Sequence, residues 1–167
     1  QARAAVSRPP TGPDRTEAAV GGAAGVPVVT VAHDRPVALA DTAAVAAGAR
    51  VALEAGTVAL LERRRAEIVE HVRRTGEAAY GFNRGFGHNV DVRVPPDRLE
   101  RLQLWLIRSH ACGVGPPAPR EVVRAAMFLR AASLARGHSG VRARPVQALI
   151  DLLNHDITPV VPIYGSV

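Results

Sequence analysis

The octapeptide Tyr80-Gly81-Phe82-Asn83-Arg84-Gly85-Phe86-Gly87 sets three glycines and two phenylalanines around one tyrosine, with a charged amphipathic stretch on either side. No helix or strand interior has such a composition. Gly81, Gly85 and Gly87 free the backbone for positive φ, so the stretch reads as a loop that holds or moves a phenol. A solvated surface loop has little use for two phenylalanines, so this one is expected to pack or close onto something. Tyr80 is therefore the first candidate for chemistry.

Working outward, both flanks carry a helical pattern. Upstream, Asp41 or Thr42 can cap an alanine-rich helix that reaches Gly56. A second helix follows, with Thr57 as its possible cap and Val58, Leu61, Ile68 and Val72 on one face, interrupted only by Arg65. Gly76 is its stop. Downstream, Pro95-Pro96 prepare a third helix over about 97–111, with Leu99, Leu102, Leu106 and His110 sharing a face with Gln103. Arg98, Arg101, Trp105 and Arg108 lie on another face. Gly113-Val114-Gly115-Pro116-Pro117 breaks that helix. A fourth runs from Pro119 to Gly137 with Val123, Met127 and Leu134 inward. A fifth opens at Pro145, carries Val146, Leu149, Ile150 and Leu153 at helical spacing, and ends at Asn154. Near the start, 28–31 and 37–39 are short β-prone runs separated by Asp34-Arg35-Pro36, which predicts a small β-hairpin. Residues 1–25, rich in Pro, Gly, Ala, Arg and Thr without periodicity, read as a flexible N-terminal arm. The fold class that follows is mainly α, with that hairpin near the start.

Composition narrows the function classes. A chain of 167 residues can bury one real core. Its 47 % hydrophobic content is largely alanine and only 4 % is aromatic, which favours closely packed helices over a β-sandwich. The net charge of +6 rests on arginine alone, since the sequence has no lysine, and the arginines are interleaved with Glu and Asp along every segment. That is a compositional habit and not a binding stripe, so no nucleic-acid partner is expected. One cysteine, Cys112, excludes an intrachain disulfide and offers no metal cluster. His88, His138 and His155 share no metal-like spacing, so no metal is expected. With no apolar run of spanning length and no signal-peptide layout, a cytoplasmic protein without a membrane partner is the default. The last residues, apolar and punctuated by Pro159 and Pro162, lead outward instead of closing the domain, so the chain is expected to continue.

Four motifs occur in order: Tyr-Gly-Phe-Asn-Arg-Gly-Phe-Gly at 80–87; Leu-Gln at 102–103 with Arg-Ser-His-Ala-Cys-Gly-Val-Gly at 108–115; Leu-Arg-Ala-Ala-Ser-Leu-Ala-Arg-Gly-His-Ser-Gly-Val-Arg at 129–142; and Leu-Leu-Asn-His-Asp-Ile-Thr-Pro-Val-Val-Pro-Ile-Tyr-Gly-Ser-Val at 152–167. Together they resemble the N-terminal portion of the aromatic amino acid ammonia-lyase and aminomutase family, which includes histidine ammonia-lyase. The match covers about 63–167. It implies that 26–167 is the N-terminal portion of an ammonia-lyase-like helical domain running beyond 167. It also implies an electrophilic 4-methylideneimidazol-5-one, formed from an Ala-Ser-Gly that follows Gly165-Ser166-Val167 after one further glycine. The cofactor-forming residues therefore lie outside this sequence. A chain broken at the modified group, a cut chain and a natural truncation all fit that stop, and the first is the expectation.

The resemblance implies elimination of ammonia from histidine or an aromatic L-amino acid to give an α,β-unsaturated acid, with Tyr80 as the base that removes the β-proton. A free phenol has a pKa of about 10, so the site has to stabilise the phenolate with positive charge, donated hydrogen bonds or helix N-termini. His110 matches a position lining the substrate pocket, where a histidine can bond an imidazole, a phenol or the tyrosine hydroxyl. Gly87 matches a glycine that lets the backbone approach substrate, and Asn83 is a candidate for orienting the loop. A homotetramer with active sites shared between subunits is implied as well. Three residues depart from the family pattern: Arg84 for threonine, Trp105 for asparagine and Ala132 for asparagine. Arg84 adds charge inside the loop that carries the base, and could lower the Tyr80 pKa, select an acidic substrate group or mark a degraded site. A 2,3-aminomutase and a non-catalytic or truncated relative are the alternatives.

Overall fold

The computed structural model describes residues 26–165; the expected arm at 1–25 lies outside them. Helices dominate. In chain order the elements are β1 (Val28–Val31), α1 (Leu39–Ala46), β2 (Arg50–Leu53), α2 (Ala55–Thr75), 3-10 turns at Gly87–Asn89 and Pro96–Arg98, α3 (Leu99–His110), β3 (Val114–Pro117), α4 (Arg120–Ala135), α5 (Ala143–Asn154) and β4 (Pro162–Tyr164).

The expected hairpin at 28–39 is not formed. β1 pairs in parallel with β2, Val28 opposite Arg50 through Val31 opposite Leu53. Parallel strands need a crossover, and α1 supplies it. Leu39, read as strand, opens that helix instead: the Asp41 carboxylate accepts from the Ala38 N–H at 3.3 Å and the Thr42 N–H donates to the Ala38 carbonyl. Gly48, at φ 112, then turns the chain into β2, so the alanine-rich helix stops well short of Gly56. On its other edge β2 is completed by a side chain. The Val51 N–H donates to Asn154 Oδ1 and Asn154 Nδ2 donates back to the Val51 carbonyl, both at 2.8 Å. One amide thus replaces a neighbouring strand and ties the end of α5 to the sheet.

α2 begins at Ala55, because Glu54, three residues ahead of the predicted cap Thr57, caps it. The Glu54 carboxylate accepts from the Gly56 and Thr57 N–H groups at 2.9 and 2.7 Å and from the Thr57 hydroxyl at 2.8 Å. Thr57 is fully buried and also accepts from the His33 N–H at 2.9 Å, which fastens the β1–α1 connection to the new helix. The Thr57 hydroxyl, then the Gly56 and Thr57 N–H groups, hold the Glu54 carboxyl below its ordinary value. A depressed carboxylate adds stability above its unfolded-state pKa, and the contribution is lost as pH falls through the folded one. The thermal midpoint of the wild type should therefore drop on acidification more steeply than that of Glu54→Gln, which has no carboxylate to protonate; parallel pH profiles would refute the cap's role.

The core forms where α4 and α5 cross under the small sheet and α1. Val29, Val31, Val45 and Val51 meet Val123, Met127, Phe128, Ala131, Val146, Ile150 and Leu153, with Leu61 entering from α2. The apolar faces predicted for α4 and α5 are the buried ones. The 16 residues of α4 bury Ala131, Ala132 and Ala135 as well. Small side chains let neighbouring backbones approach closely, as the alanine-rich composition anticipates. α3 differs: Leu104, Trp105 and Ile107 are exposed, Ile107 at 68 %. Arg101 stacks over the Trp105 ring at 5.1 Å. The segment expected only to break α3 forms β3, antiparallel to β4, with Val114 opposite Tyr164 and Pro117 opposite Pro162. Prolines are tolerated because both strands are edges. Among the described residues no helix is long and apolar enough to cross a membrane.

Candidate active site

The tyrosine loop is closed on itself by main-chain bonds. The Val94 N–H donates to the Asn83 carbonyl and the Gly85 N–H to the Val92 carbonyl, so the two ends of the excursion face each other. Between them the chain makes the 3-10 turn at Gly87–Asn89, with Gly87 at φ 54. Gly85 sits where no side chain fits: a Cβ there would stand 2.3 Å from the Asn89 carbonyl oxygen. Gly85→Ala should therefore force the loop open and misplace Tyr80. For the catalytic role expected of Tyr80, a misplacement of about 1 Å costs roughly 10²-fold in kcat/KM, while the core, which does not include the loop, leaves the thermal midpoint nearly unchanged. Steady-state kinetics and a melting curve on the full-length enzyme check this; wild-type kcat/KM would contradict it.

Within the loop each predicted residue has a definite place. Tyr80 is 62 % exposed and its ring meets the edge of Phe86 at 5.5 Å, 83° between planes. The ring is braced on one side and the hydroxyl is left accessible. Asn83 Oδ1 accepts from the Ala79 N–H at 2.9 Å and Nδ2 donates to the Glu77 carbonyl at 2.8 Å. Its amide thus engages the backbone that leads into Tyr80. Gly87 is exposed, with nothing within 4 Å of a notional Cβ, so its backbone is open to approach from outside. Arg84 donates from Nη1 to the Asp91 carbonyl at 3.1 Å, and its backbone bridges Arg93 across the loop. The threonine-to-arginine departure therefore braces the far side of the loop.

Three contacts attach the loop to the helices. Phe82 lies under the Arg65 guanidinium, 4.9 Å from the ring centroid, and Arg65 Nη1 donates to the Gly140 carbonyl at 3.2 Å. The arginine that broke the apolar face of α2 is thus the link between α2, the loop and the turn before α5. Gly140, at φ 64, leaves room for Phe82, which would come within 2.9 Å of a Cβ there. From α3, Gln103 Nε2 approaches the Gly81 carbonyl at 3.5 Å. Sequence reasoning placed neither Arg65 nor Gln103 in the site. The signal available was a charged residue in an otherwise apolar helical face.

His110 ends α3 seven residues after Gln103. Seven residues are nearly two turns, so the two share a face about 10 Å apart along the axis. His110 Nδ1 lies 2.9 Å from both the Leu106 carbonyl and Ser109 Oγ. A ring bonded to a carbonyl through Nδ1 carries its hydrogen there, which leaves Nε2 of the neutral imidazole as the outward acceptor. Just beyond, β3 runs against β4, and Gly165 packs on the chain after His110: a Cβ on Gly165 would be 3.0 Å from the Cys112 carbonyl oxygen and 3.0 Å from Gly113 Cα. The helix that holds the tyrosine loop thus also carries His110 and, through its following strand, the segment leaving at Gly165.

Behind the loop a cleft of about 880 Å³ opens between α2, α3 and the turn before α5, lined by Arg65, Val69, Val72, Phe82, Asn83 and Gln103 among others. Tyr80 and His110 are not in its lining. The cleft lies on the side of the loop that Phe82 and Gln103 attach to the helices, and Tyr80 and His110 are exposed residues outside it. Among the described residues no group of three or more His, Cys, Asp or Glu is placed to hold a metal ion.

The family described as aromatic amino acid lyase matches residues 37–167. Histidine ammonia-lyase of Burkholderia mallei (strain NCTC 10229) is 45 % identical over 118 residues, covering 71 % of this chain and 23 % of the relative. The histidine ammonia-lyase of Paracidovorax citrulli (strain AAC00-1) is 44 % identical over 138 residues, 82 % of this chain and 27 % of the relative. Among solved structures, tyrosine aminomutase from Streptomyces globisporus gives a TM-score of 0.76 at 34 % identity, over 84 % of this chain and 26 % of that one. Histidine ammonia-lyase from Trypanosoma cruzi gives 0.70 at 31 % identity, over 83 % and 26 %. The chain thus spans about a quarter of the length of these relatives.

Proposed function

Because the chain belongs to the aromatic amino acid lyase family, we propose that the protein of which it forms part eliminates ammonia from histidine or an aromatic L-amino acid, leaving an α,β-unsaturated acid. The observation that carries this reading is the shared framework of α3: the Tyr80 loop at Gln103, His110 on the same face, and the segment ending at Gly165 paired to the strand that follows. A 4-methylideneimidazol-5-one formed just past that segment fits this arrangement, since the tight packing of Gly165 on Cys112 and Gly113 brings the exit of the chain to the His110 end of the helix; when present, the group supplies the electrophile that makes the substrate amine a leaving group.

The rest is work for this chain's own residues. Tyr80 takes the proton from the β-carbon, its ring braced on one side by Phe86. General-base removal of this kind contributes about 10²–10⁴ in rate. His110 binds the substrate ring through Nε2, accepting from an imidazole N–H or a phenol O–H. Gly87 allows the loop backbone to come down on the substrate, and Asn83 sets the angle at which the loop enters Tyr80. In the same proposal the enzyme is a cytoplasmic homotetramer in which the loop of one subunit covers the electrophile of another.

A 2,3-aminomutase is the second reading, favoured by the likeness to tyrosine aminomutase. Elimination is common to both, and a loop that stays shut until ammonia re-adds at the β-carbon separates them. Incubating the full-length protein with histidine, tyrosine and phenylalanine and identifying products decides the matter. Unsaturated acid as the main product is the expected result, a β-amino acid selects the mutase, and no turnover of any of the three contradicts both.

A further inference from the structure

The cleft of about 880 Å³ behind the tyrosine loop is lined by four arginines, Arg65, Arg73, Arg93 and Arg142, and by a single carboxylate, that of Glu100. Over the whole chain 21 basic residues face 15 acidic ones, so the cleft concentrates positive charge far beyond the chain's average. Arg73 is already engaged: its Nε and Nη2 each donate to the Glu70 carboxylate at 2.9 Å. Arg65, Arg93, Arg142 and Glu100 take part in none of the ion pairs among the described residues. Arg65, half-buried, uses Nη1 to donate to the Gly140 carbonyl, while its Nε is buried without an acceptor. A guanidinium has five N–H donors, and most of those on Arg65 are unused. Between these charges the lining is apolar, with Val69 and Val72 on α2, Phe82 in the loop and Val141 before α5.

We propose that this cleft is a second binding site, separate from Tyr80 and His110, for a small organic anion: a carboxylate or phosphate head on an apolar body. Its volume falls in the range of small-molecule sites, about 300–1,000 Å³, and such sites combine apolar walls with a few polar groups that fix orientation. The head goes to the arginines, whose planar guanidinium matches both carboxylate and phosphate. The body lies on Val69, Val72 and Phe82. Positive charge gathered in a concave site draws anions in and repels cations, and a neutral apolar molecule would leave the arginine donors without acceptors. Phe82 is two residues past Tyr80, so the bound anion rests against the back of the loop without reaching its open side.

Calorimetric titration of the full-length protein with hexanoate, hexyl phosphate and 1-hexanol tests this, the two anions telling a carboxylate site from a phosphate site. At least one anion should bind about tenfold or more tightly than the alcohol, the scale of a hydrogen bond to a charged group. The Arg93→Gln/Arg142→Gln double variant should weaken that anion about tenfold. Both side chains are exposed and neither makes a hydrogen bond or ion pair among the described residues, so fold and basal turnover should be unchanged; should the double variant fail to fold, Arg142→Gln alone is read the same way. His110→Ala should bind the anion as wild type does. No binding of either anion, equal binding of anion and alcohol, or an undiminished affinity in the arginine variants overturns the site. Loss of the anion in His110→Ala overturns it too, by placing the ligand beside Tyr80. Binding is read without turnover, so an inactive protein that passes these tests contradicts the proposed function and leaves the cleft site standing.

Discussion

Tyr80→Phe in the full-length enzyme should keep its fold and assembly and lose about 10³-fold or more in kcat, the contribution of a positioned general base. The structure makes the substitution clean. The Tyr80 ring is held by its edge contact with Phe86 at 5.5 Å, which phenylalanine reproduces, and the hydroxyl supports no hydrogen bond among the described residues. Nothing in the loop closure, which depends on Asn83, Gly85, Val92 and Val94 main-chain groups, passes through that oxygen. KM should change little, since the proposed mechanism assigns substrate binding to His110 and not to the Tyr80 hydroxyl. Turnover at the wild-type level would remove Tyr80 from the mechanism.

The largest expected effect on stability lies far from the loop, at Arg124. This side chain is 1 % exposed, in the middle of the hydrophobic core. Its Nε donates to the Val45 carbonyl at 3.0 Å, and its Nη1 to the Leu153 carbonyl at 3.1 Å and to Asp156 Oδ1 at 3.2 Å. One guanidinium therefore joins the ends of α1 and α5 from the surface of α4. Burial, and secondarily the charge of Arg120, push its pKa below the ordinary value. Asp156, in a left-handed conformation at φ 59, answers with a carboxylate that also pairs with Arg120. Arg124→Ala deletes charge-assisted bonds and leaves a cavity, and should destabilise by about 4 kcal/mol. Arg124→Met refills most of the space without donating, and should lose about half as much. Denaturant unfolding of both variants separates the two contributions; an Ala variant as stable as wild type would contradict the clamp.

These two residues show what the sequence makes legible and what it hides. Tyr80 stands out because its neighbours, three glycines and two phenylalanines, make sense only as a built loop. The helices α4 and α5 are equally plain, since Val123, Met127, Val146, Ile150 and Leu153 recur at helical spacing and are in fact buried. Arg124 gives no such sign. An arginine in an arginine-rich amphipathic helix is read as solvent-facing, and only tertiary structure reveals that three acceptors, from α1, α5 and the turn after α5, converge on it. β2 is hidden for a related reason. Arg50-Val51-Ala52-Leu53 lies in an alanine-rich run whose propensity is helical, and its strand character comes from β1 on one edge and the Asn154 amide on the other. The predicted hairpin erred likewise: Asp34-Arg35-Pro36 is a plausible turn, but the chain leaving it enters α1. Pairing between Val114 and Tyr164, fifty residues apart, leaves no local trace beyond the glycines and prolines that permit it.

The proposed chemistry reduces to one atom count. An L-amino acid substrate carrying two deuteriums on its β-carbon loses one of them for every ammonia released if elimination begins with proton removal at that carbon. Full-length protein given such a substrate should yield an unsaturated acid with a single deuterium, in step with ammonia. Ammonia released into solution beside a product that keeps both deuteriums would contradict the account, because no base at Tyr80 would then have acted on the β-carbon.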